Sequence, residues 1–422
     1  MTQILPPSGD VLIVGAGPTG LTLACEAARR GLSCRLIEAA TEPNPWSRAL
    51  GVQARTLELL AQMGLADEAV ARGHKAHGAR IHGAGRERAH LTLDKLDSPF
   101  PFILILPQNE TEALLADGAR RQGVGIERGT ALTRFAQDAN GVTATLRHRD
   151  GREETARARW LVGADGAHSA VRHGLGRPFA GAEYPEAFLL ADCRLAGSVP
   201  EDELSVYLTH DGFLAIFPFG GGLFRLIASL PGAAASGADW EPHAATLAEC
   251  QAVVDARGPG GVRLSDPRWL SRFRLHRRLA PQMRVGQVFL AGDAAHIHSP
   301  AGGQGMNTGI QDAVNLAWKL ALVTQGASPD ALLASYQVER HPVAADVLRD
   351  TDLAMRAVTL HDKPVEAVRD QVLASFSGLE PVRRRVRDRV AQLSVRYRHS
   401  PIVEDAGGAD RSGPATAFPT RR

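Results

Sequence analysis

The segment DVLIVGAGPTGLTLACEAARRGLSCRLIE, residues 10–38, leaves few folds open. Val11-Leu12-Ile13-Val14 is a continuous apolar run of strand length. Gly15-Ala16-Gly17-Pro18-Thr19-Gly20 has the spacing G-x-G-x-x-G, and Leu21, Leu23, Ala24, Ala27 and Ala28 then give a small apolar helix face. Gly31 stops that helix, and Cys34 to Ile37 forms a second strand that ends at Glu38. Strand, turn, helix and strand make a βαβ unit, the start of an α/β fold with a parallel sheet. The glycines divide the work. Gly15 permits the tight turn, Gly17 lets main chain approach a pyrophosphate, and Gly20 allows close helix–strand packing. The helix N-terminus turns free N–H groups and positive dipole toward that phosphate. Glu38 follows Gly20 at the spacing expected of an acid that accepts ribose hydroxyls. Such an acid suits an adenosine with a free 2′-hydroxyl, as in FAD and NAD. A tight βα turn with no ligand would also carry the glycines, but it would not need the terminal acid.

A chain of 422 residues exceeds what one core usually supports, so two or more domains are expected. Its net charge of +2 gives no reason for nucleic acid or an anionic membrane as partner. Cys25, Cys34, Cys193 and Cys250 are far apart and form no CxxC pair, which suggests neither a disulfide framework nor a zinc site. The N-terminus lacks the basic, apolar, small-residue order of a signal peptide, and no apolar run reaches membrane-spanning length. A cytoplasmic location is expected.

Two further strands end in glycine and aspartate. Trp160-Leu161-Val162-Gly163-Ala164-Asp165-Gly166 leads into a short helix carrying Arg172. The stretch FLAGDAAHIHSPAGGQGMNTGIQD, residues 289–312, places Gly292-Asp293 at the end of the apolar run Val288–Ala291. A carboxylate just beyond a parallel strand faces the crevice where such sheets bind ligands, so Asp165 and Asp293 are candidate acceptors for sugar-like hydroxyls. From Pro300 to Gly305 the loop has little side-chain bulk, and Asn307 reads as the N-cap of a helix running to about Val323. A glycine loop that delivers a helix N-terminus suits something flat and electron-rich, such as a reduced flavin carrying negative charge. A glycine loop packed on neighbouring protein is the plainer alternative.

These three motifs, in this order, resemble the single-component FAD-dependent aromatic hydroxylases, the group that includes p-hydroxybenzoate and phenol hydroxylases. The resemblance is carried by GAGPTG with Glu38, by GADGAHSAVR (163–172) and by GDAAHIHSPAGGQGMNTGIQDAVNLAWKL (292–320). SRALGVQARTLELL from Ser47 and PQNETEALL from Pro107 add to it, and Tyr397-Arg398-His399-Ser400-Pro401 is similar to a segment of the hydroxylases that tailor aromatic polyketides. The resemblance implies non-covalent FAD. Its pyrophosphate would lie on Gly15, Gly17, Pro18, Thr19 and Gly20, and its ribose on Glu38. Arg48, Gln108, Leu132 and Asp293 would add contacts, and Pro300, Gly303, Gly305, Met306 and Asn307 would lie along the isoalloxazine. Asp165 and Gly166 would serve both FAD and the nicotinamide. NADPH or NADH would act as a transient co-substrate, O₂ as oxidant and a small aromatic or polycyclic compound as substrate, through a flavin C4a-hydroperoxide. No catalytic side chain and no metal are implied, and the assembly is a monomer or homodimer. Epoxidation, Baeyer–Villiger insertion, halogenation or reduction on the same scaffold stay open, although no Trp-x-Trp-x-Ile-Pro halogenase signature occurs. A binding protein that keeps the fold without turnover also stays open.

Between the motifs the pattern changes. Ala187–Leu195, Leu204–Thr209, Phe213–Phe217 and Phe224–Leu230 read as strands of an antiparallel meander, with Asp211-Gly212 as a hairpin turn. The expected architecture is therefore a Rossmann-like FAD-binding domain from 1–78, 107–178 and 273–360. A mostly antiparallel substrate domain comes from 79–106 and 179–272, a helical segment follows over 361–403, and 404–422 forms a flexible tail. Gly83-Ala84-Gly85 lacks the context of a second dinucleotide turn, so the nicotinamide has no domain of its own. His296-x-His298 has no third metal ligand at a recognisable spacing and reads as part of the flavin loop, and His276-Arg277-Arg278 reads as a solvated basic face. Many larger relatives continue into a thioredoxin-like domain that does not follow Pro401 here.

Overall fold

Strand Gly9–Val14 lies at the centre of the first sheet because both of its faces are apolar, with Val11, Leu12 and Ile13 at most 2% exposed. Burial of each such side chain contributes about 1.5–3 kcal/mol. On one side it pairs in parallel with Cys34–Glu38, which pairs with Ile126–Arg128. On the other it pairs in parallel with Glu153–Gly163, which pairs with Val288–Leu290. Strand order thus reverses at Gly9–Val14, and the C-terminal ends of three central strands open on one crevice. The computed structural model describes residues 9–230, 245–359 and 379–404. The fold is α/β, with a Rossmann-like parallel sheet, a separate and mostly antiparallel sheet, and C-terminal helices.

Helix Pro18–Ala28 begins with proline at its first position, where the missing N–H costs nothing. It ends as Gly31, at φ +82°, lets Leu32 N–H return to Ala27 O at 3.0 Å. Its small apolar face meets helix Gly305–Thr324 at close range. Thr19 Oγ1 fills a notch between Gly292 and Gly309, where a Cβ would come within 2.4 and 2.3 Å of it respectively. Two helix N-termini are thereby held side by side at the crevice.

The second sheet has eight strands and draws on residues 78–92, 180–230, 263–279 and 296–297. All its pairings are antiparallel except Gly78–Gly83 with Glu203–Thr209. The four expected meander strands lie within Ala180–Ala196, Glu203–Thr209, Gly212–Gly220 and Leu223–Leu230. The hairpin turn falls one residue earlier than the spacing suggested. His210 and Asp211 make it, and Gly212 already opens the return strand at φ +118°. Gly83-Ala84-Gly85 is the turn between Gly78–Gly83 and Arg86–Thr92. One face of the sheet is covered by helix Leu247–Arg257, with Cys193, Cys250 and Val254 in the core between them. The other face packs on the flavin-motif half of the chain through Phe217, Phe219 and Leu204 against Leu50, Ile103 and Ile105.

Helix Ala331–Thr359 runs through an internal Pro342, and helix Glu380–Val390 follows it. Within the expected helical segment 361–403 the described helix ends at Val390, because the chain leaves helical geometry by Gln392, φ +58°. Residues 361–378 of the expected helical segment, and the tail from residue 405, lie outside the described residues. No described helix is long and apolar enough to cross a membrane.

Candidate functional site

The crevice floor is built from three turns. In the first, Gly15 N–H donates to Ile37 O at 2.8 Å, and Ala16 N–H donates to Glu38 Oε2 at 2.8 Å. Glu38 also accepts from Ala40 N–H at 2.9 Å, so its carboxylate is fixed beside the glycine turn. Gly20 is required by the protein itself, since a Cβ there would lie 1.9 Å from Gly15 O. Gly17 is different. Its backbone is ordinary (φ −76°, ψ −177°), and a Cβ there would meet nothing within 4 Å. Nothing in the protein asks for glycine at this position, yet it stands at the start of a helix whose first N–H groups have no side-chain cap. Pro18 is the first helical residue, and Thr19 is spent on the helix contact. The space over Gly17 has the form and polarity of a phosphate cradle.

The second turn, Ala164–Ser169, is knit to itself. Asp165 accepts from Ser169 Oγ at 2.5 Å and from Val171 N–H at 3.2 Å, and burial pushes its carboxyl up. Both of its oxygens are engaged within the turn, which fixes the carboxylate in place. Gly166, at φ +76°, leaves open space beside it. Arg172 was read only as part of this motif. It is 2% exposed and donates to Ala167 O at 2.8 Å and to Ala294 O at 3.0 Å, which ties the second turn to the third across more than a hundred residues.

The third turn carries Asp293. Water reaches this side chain, yet protein surrounds it, as happens on the floor of a cleft. That crowding pushes its carboxyl up, against the opposing pull of His296 and Arg48. The Asp293 carboxylate makes no hydrogen bond to another described residue. Its neighbour Gly292 donates N–H to Asp312 Oδ2 at 3.1 Å.

Asp312 was not singled out in the sequence, and it holds this corner together. It is fully buried and also takes His296 Nε2 at 2.7 Å and Arg340 Nε at 2.6 Å. Burial opposes its charge, but Arg340 and then His296 outweigh that and hold the carboxyl below its usual range. Arg340 reaches on to Thr308 O at 3.1 Å and Tyr397 Oη at 3.0 Å. Ser400 Oγ donates to Glu339 Oε1 at 2.6 Å, and Glu339 pairs with the buried Lys319 at 2.6 Å. The Tyr397–Pro401 segment thus ties to helix Ala331–Thr359 at the two residues, Glu339 and Arg340, that pair with Lys319 and Asp312 of helix Gly305–Thr324. Burial pushes the Lys319 ammonium down to about 8. The signal available in the sequence was the series Asp312, Asn315 and Lys319, which are the polar residues of the otherwise apolar stretch 312–323.

The loop before helix Gly305–Thr324 runs from Pro300 through Gly302 and Gly303, both at positive φ. Asn307 is not the N-cap. Gln304 occupies that position, and Asn307 lies in the first helical turn. Its side chain looks back along the loop, accepting from Gln53 N–H at 2.9 Å and donating to Gly51 O and Gly303 O at 2.8 and 2.7 Å. The polar residue sensed in the sequence therefore anchors the glycine loop rather than the helix end. Gly305 abuts His298, whose Cε1 would be 3.3 Å from an added Cβ. Burial pushes the His298 imidazole down to about 4, so it is neutral at pH 7. Met306 packs toward Leu59, Ile310 and Val314.

The remaining expected residues separate. Arg48 stands in the cleft within electrostatic reach of Asp293. Gln108 is used by protein: its side chain accepts from Ala49 N–H at 3.2 Å and donates to Glu112 at 2.8 Å, which fixes the Arg48 loop. The Leu132 side chain belongs to the hydrophobic core. Arg277 is not on a wholly solvated face, since it pairs with Asp352 at 2.6 Å.

A family model described as "FAD binding domain" matches residues 8–351. The 6-methylpretetramide 4-monooxygenase of Streptomyces rimosus is 41% identical over 414 residues, spanning 96% of this chain and 73% of that protein. The solved structure of OxyS anhydrotetracycline hydroxylase from Streptomyces rimosus superposes with a TM-score of 0.77 at 36% identity, covering 92% of this chain and 77% of that one. A ternary complex of aklavinone-11 hydroxylase with FAD and aklavinone gives a TM-score of 0.72 at 29% identity, over 86% of this chain and 71% of that one.

Proposed function

The chain belongs to the FAD-binding aromatic hydroxylase family of flavin-dependent monooxygenases, and from that premise we propose that it hydroxylates a flat polycyclic, polyketide-like phenol with NADPH or NADH as electron donor. One observation supports this reading above the others. Gly17 is bare where the protein has no use for bareness, at an uncapped helix start beside the fixed carboxylate of Glu38. FAD would lay its pyrophosphate there and its adenosine ribose on Glu38. Asp293 and Arg48 would take the polar chain toward the flavin, and Gly302 to Gly305 would lie along the ring. When bound, FAD supplies the redox and oxygen chemistry.

The chain's own residues do the rest. The uncapped N-terminus at Gly305 directs N–H groups and positive dipole at the loop, where negative charge on a flat ring would be stabilised. His298, neutral at pH 7, leaves that stabilisation to the helix N-terminus. Phe188, Phe213 and Ile227 on the inner face of the antiparallel sheet form a dry apolar cluster with Met355 that backs this side of the sheet. By their names, the relatives above act on 6-methylpretetramide, anhydrotetracycline and aklavinone, and this supports a polyketide-like substrate here.

Asp293→Ala tests the assignment. The carboxylate is crowded and pushed toward protonation, so it costs the empty fold some stability. The variant should melt no lower than wild type. It should bind FAD about 10- to 100-fold more weakly, the loss of charge-assisted hydrogen bonds to the coenzyme. A variant that purifies with a full complement of FAD refutes the role.

A further inference from the structure

Trp46 is half exposed, an unusual place for the largest side chain, and it stacks on Trp269 with ring centroids 5.7 Å apart and planes 23° from parallel. The two come from different parts of the molecule. Trp46 precedes Ser47 and Arg48 on the loop that reaches the Asp293 cleft, whereas Trp269 lies on the inner face of the antiparallel sheet. Beyond Trp269 lies Arg225, wholly buried, with its guanidinium 5.2 Å from the Trp269 ring and 5.6 Å from Phe219. Asp192, between them in register, takes Arg225 through two bonds of 2.7 Å. Arg225 Nη1 has no hydrogen-bond partner and is left to the aromatic rings.

A buried ion pair is weak evidence for stability, because apolar residues of similar size often serve as well. What it does here is fix a cation against Trp269 and hold that ring in one orientation. A cation close to a π-system draws on its electron density, and the ring so polarised favours an electron-rich aromatic partner. Trp46 is such a partner, and it is lightly held. Its main chain N–H bonds to Asn44 Oδ1 at 3.0 Å, residues 41–46 are all exposed, and the first firm anchor is buried Ser47.

Resting on the aromatic-hydroxylase reading, we infer that Trp269, braced by the Asp192–Arg225 pair, is the platform on which a flat electron-rich polycyclic ligand stacks. Trp46 occupies that place in the empty protein and turns out on its loop to admit the ligand. The two tryptophans therefore have opposite effects on binding, which a merely structural pair would not.

The test uses FAD-loaded wild type, Trp46→Ala and Trp269→Ala with the electron-rich 1,8-dihydroxyanthracene as probe, read by perturbation of the flavin absorbance. Thermal midpoints of all three report whether the fold is intact. Trp46→Ala should bind the probe about three- to tenfold more tightly, as a competing stack is removed, and Trp269→Ala about tenfold or more weakly. KM for ring oxidation should follow these affinities while kcat moves less. Weaker binding in both variants, or no change in either, overturns the inference, as does a wild type that ignores the probe. A wild type that binds the probe with this pattern, but neither oxidises NADPH nor consumes oxygen, sinks the monooxygenase reading and leaves the platform supported.

Discussion

Gly17→Val is expected to give a folded, colourless protein that does not take up FAD. The substitution separates two uses of glycine within one motif. At Gly17 the backbone sits at φ −76° and ψ −177°, extended geometry that a β-branched residue adopts readily, and the space for a Cβ is empty. Thermal stability should therefore change by less than about 1 kcal/mol. The same side chain fills the volume over the helix N-terminus, so FAD affinity should fall at least about 100-fold, some 2.7 kcal/mol. Gly20→Val, three residues on, should fail for the opposite reason. Its Cβ would lie 1.9 Å from Gly15 O, and helix Pro18–Ala28 cannot dock on its strand without moving. Soluble Gly20→Val with normal FAD binding would mean that the helix packs otherwise than described. Normal FAD binding by Gly17→Val would mean that the pyrophosphate lies elsewhere.

Arg340→Met is expected to cause the largest loss of stability of any single change outside the apolar core. Arg340 and Asp312 are both wholly buried, and removing the cation leaves a carboxylate held only by His296 and Gly292 N–H. Breaking a buried pair from one side costs about 3–5 kcal/mol. The sign with pH follows from the depressed carboxyl of Asp312. A carboxyl lowered in the fold adds stability above its unfolded value, about 3.9, and that contribution is lost as pH falls through the folded one. Without Arg340 the carboxyl rises instead and protonates at milder acidity, which relieves the variant. The deficit between wild type and Arg340→Met should therefore be greatest near pH 7–8 and shrink toward pH 5. Urea titrations at both pH values measure it, and an equal deficit at both contradicts the pairing. FAD binding should weaken as well, because Asp312 positions Gly292, next to Asp293.

These cases mark what the amino-acid order reveals and what it conceals. The βαβ unit was legible because Gly15, Gly17, Gly20 and Glu38 act within thirty residues of one another. The meander strands were legible because alternation and turn residues are local signals, and even there the turn at His210-Asp211 was misplaced by one. Asn307 was recognised as a polar anchor but given the wrong partner. Its bonds go to Gly51 and Gln53, some 250 residues away, which no local pattern encodes. Asp312 and Arg340 escaped notice for the same reason, since each is an isolated polar residue on its helix until the chain brings them together, and the Tyr397 segment was recognised without its bond to Arg340. Gly309 gave no signal at all, since its purpose is to receive Thr19 from another helix.

The central claim is that the adenylate half of FAD is held by the Gly17 turn and Glu38, and comparative titration tests it most directly. Apoprotein is titrated with FAD and, separately, with FMN, which carries the same flavin ring but no adenosine diphosphate linkage. The account predicts a single saturable FAD site, with FMN at least about 100-fold weaker. Equal affinity for the two, or FAD left free in an excess of protein, would contradict it.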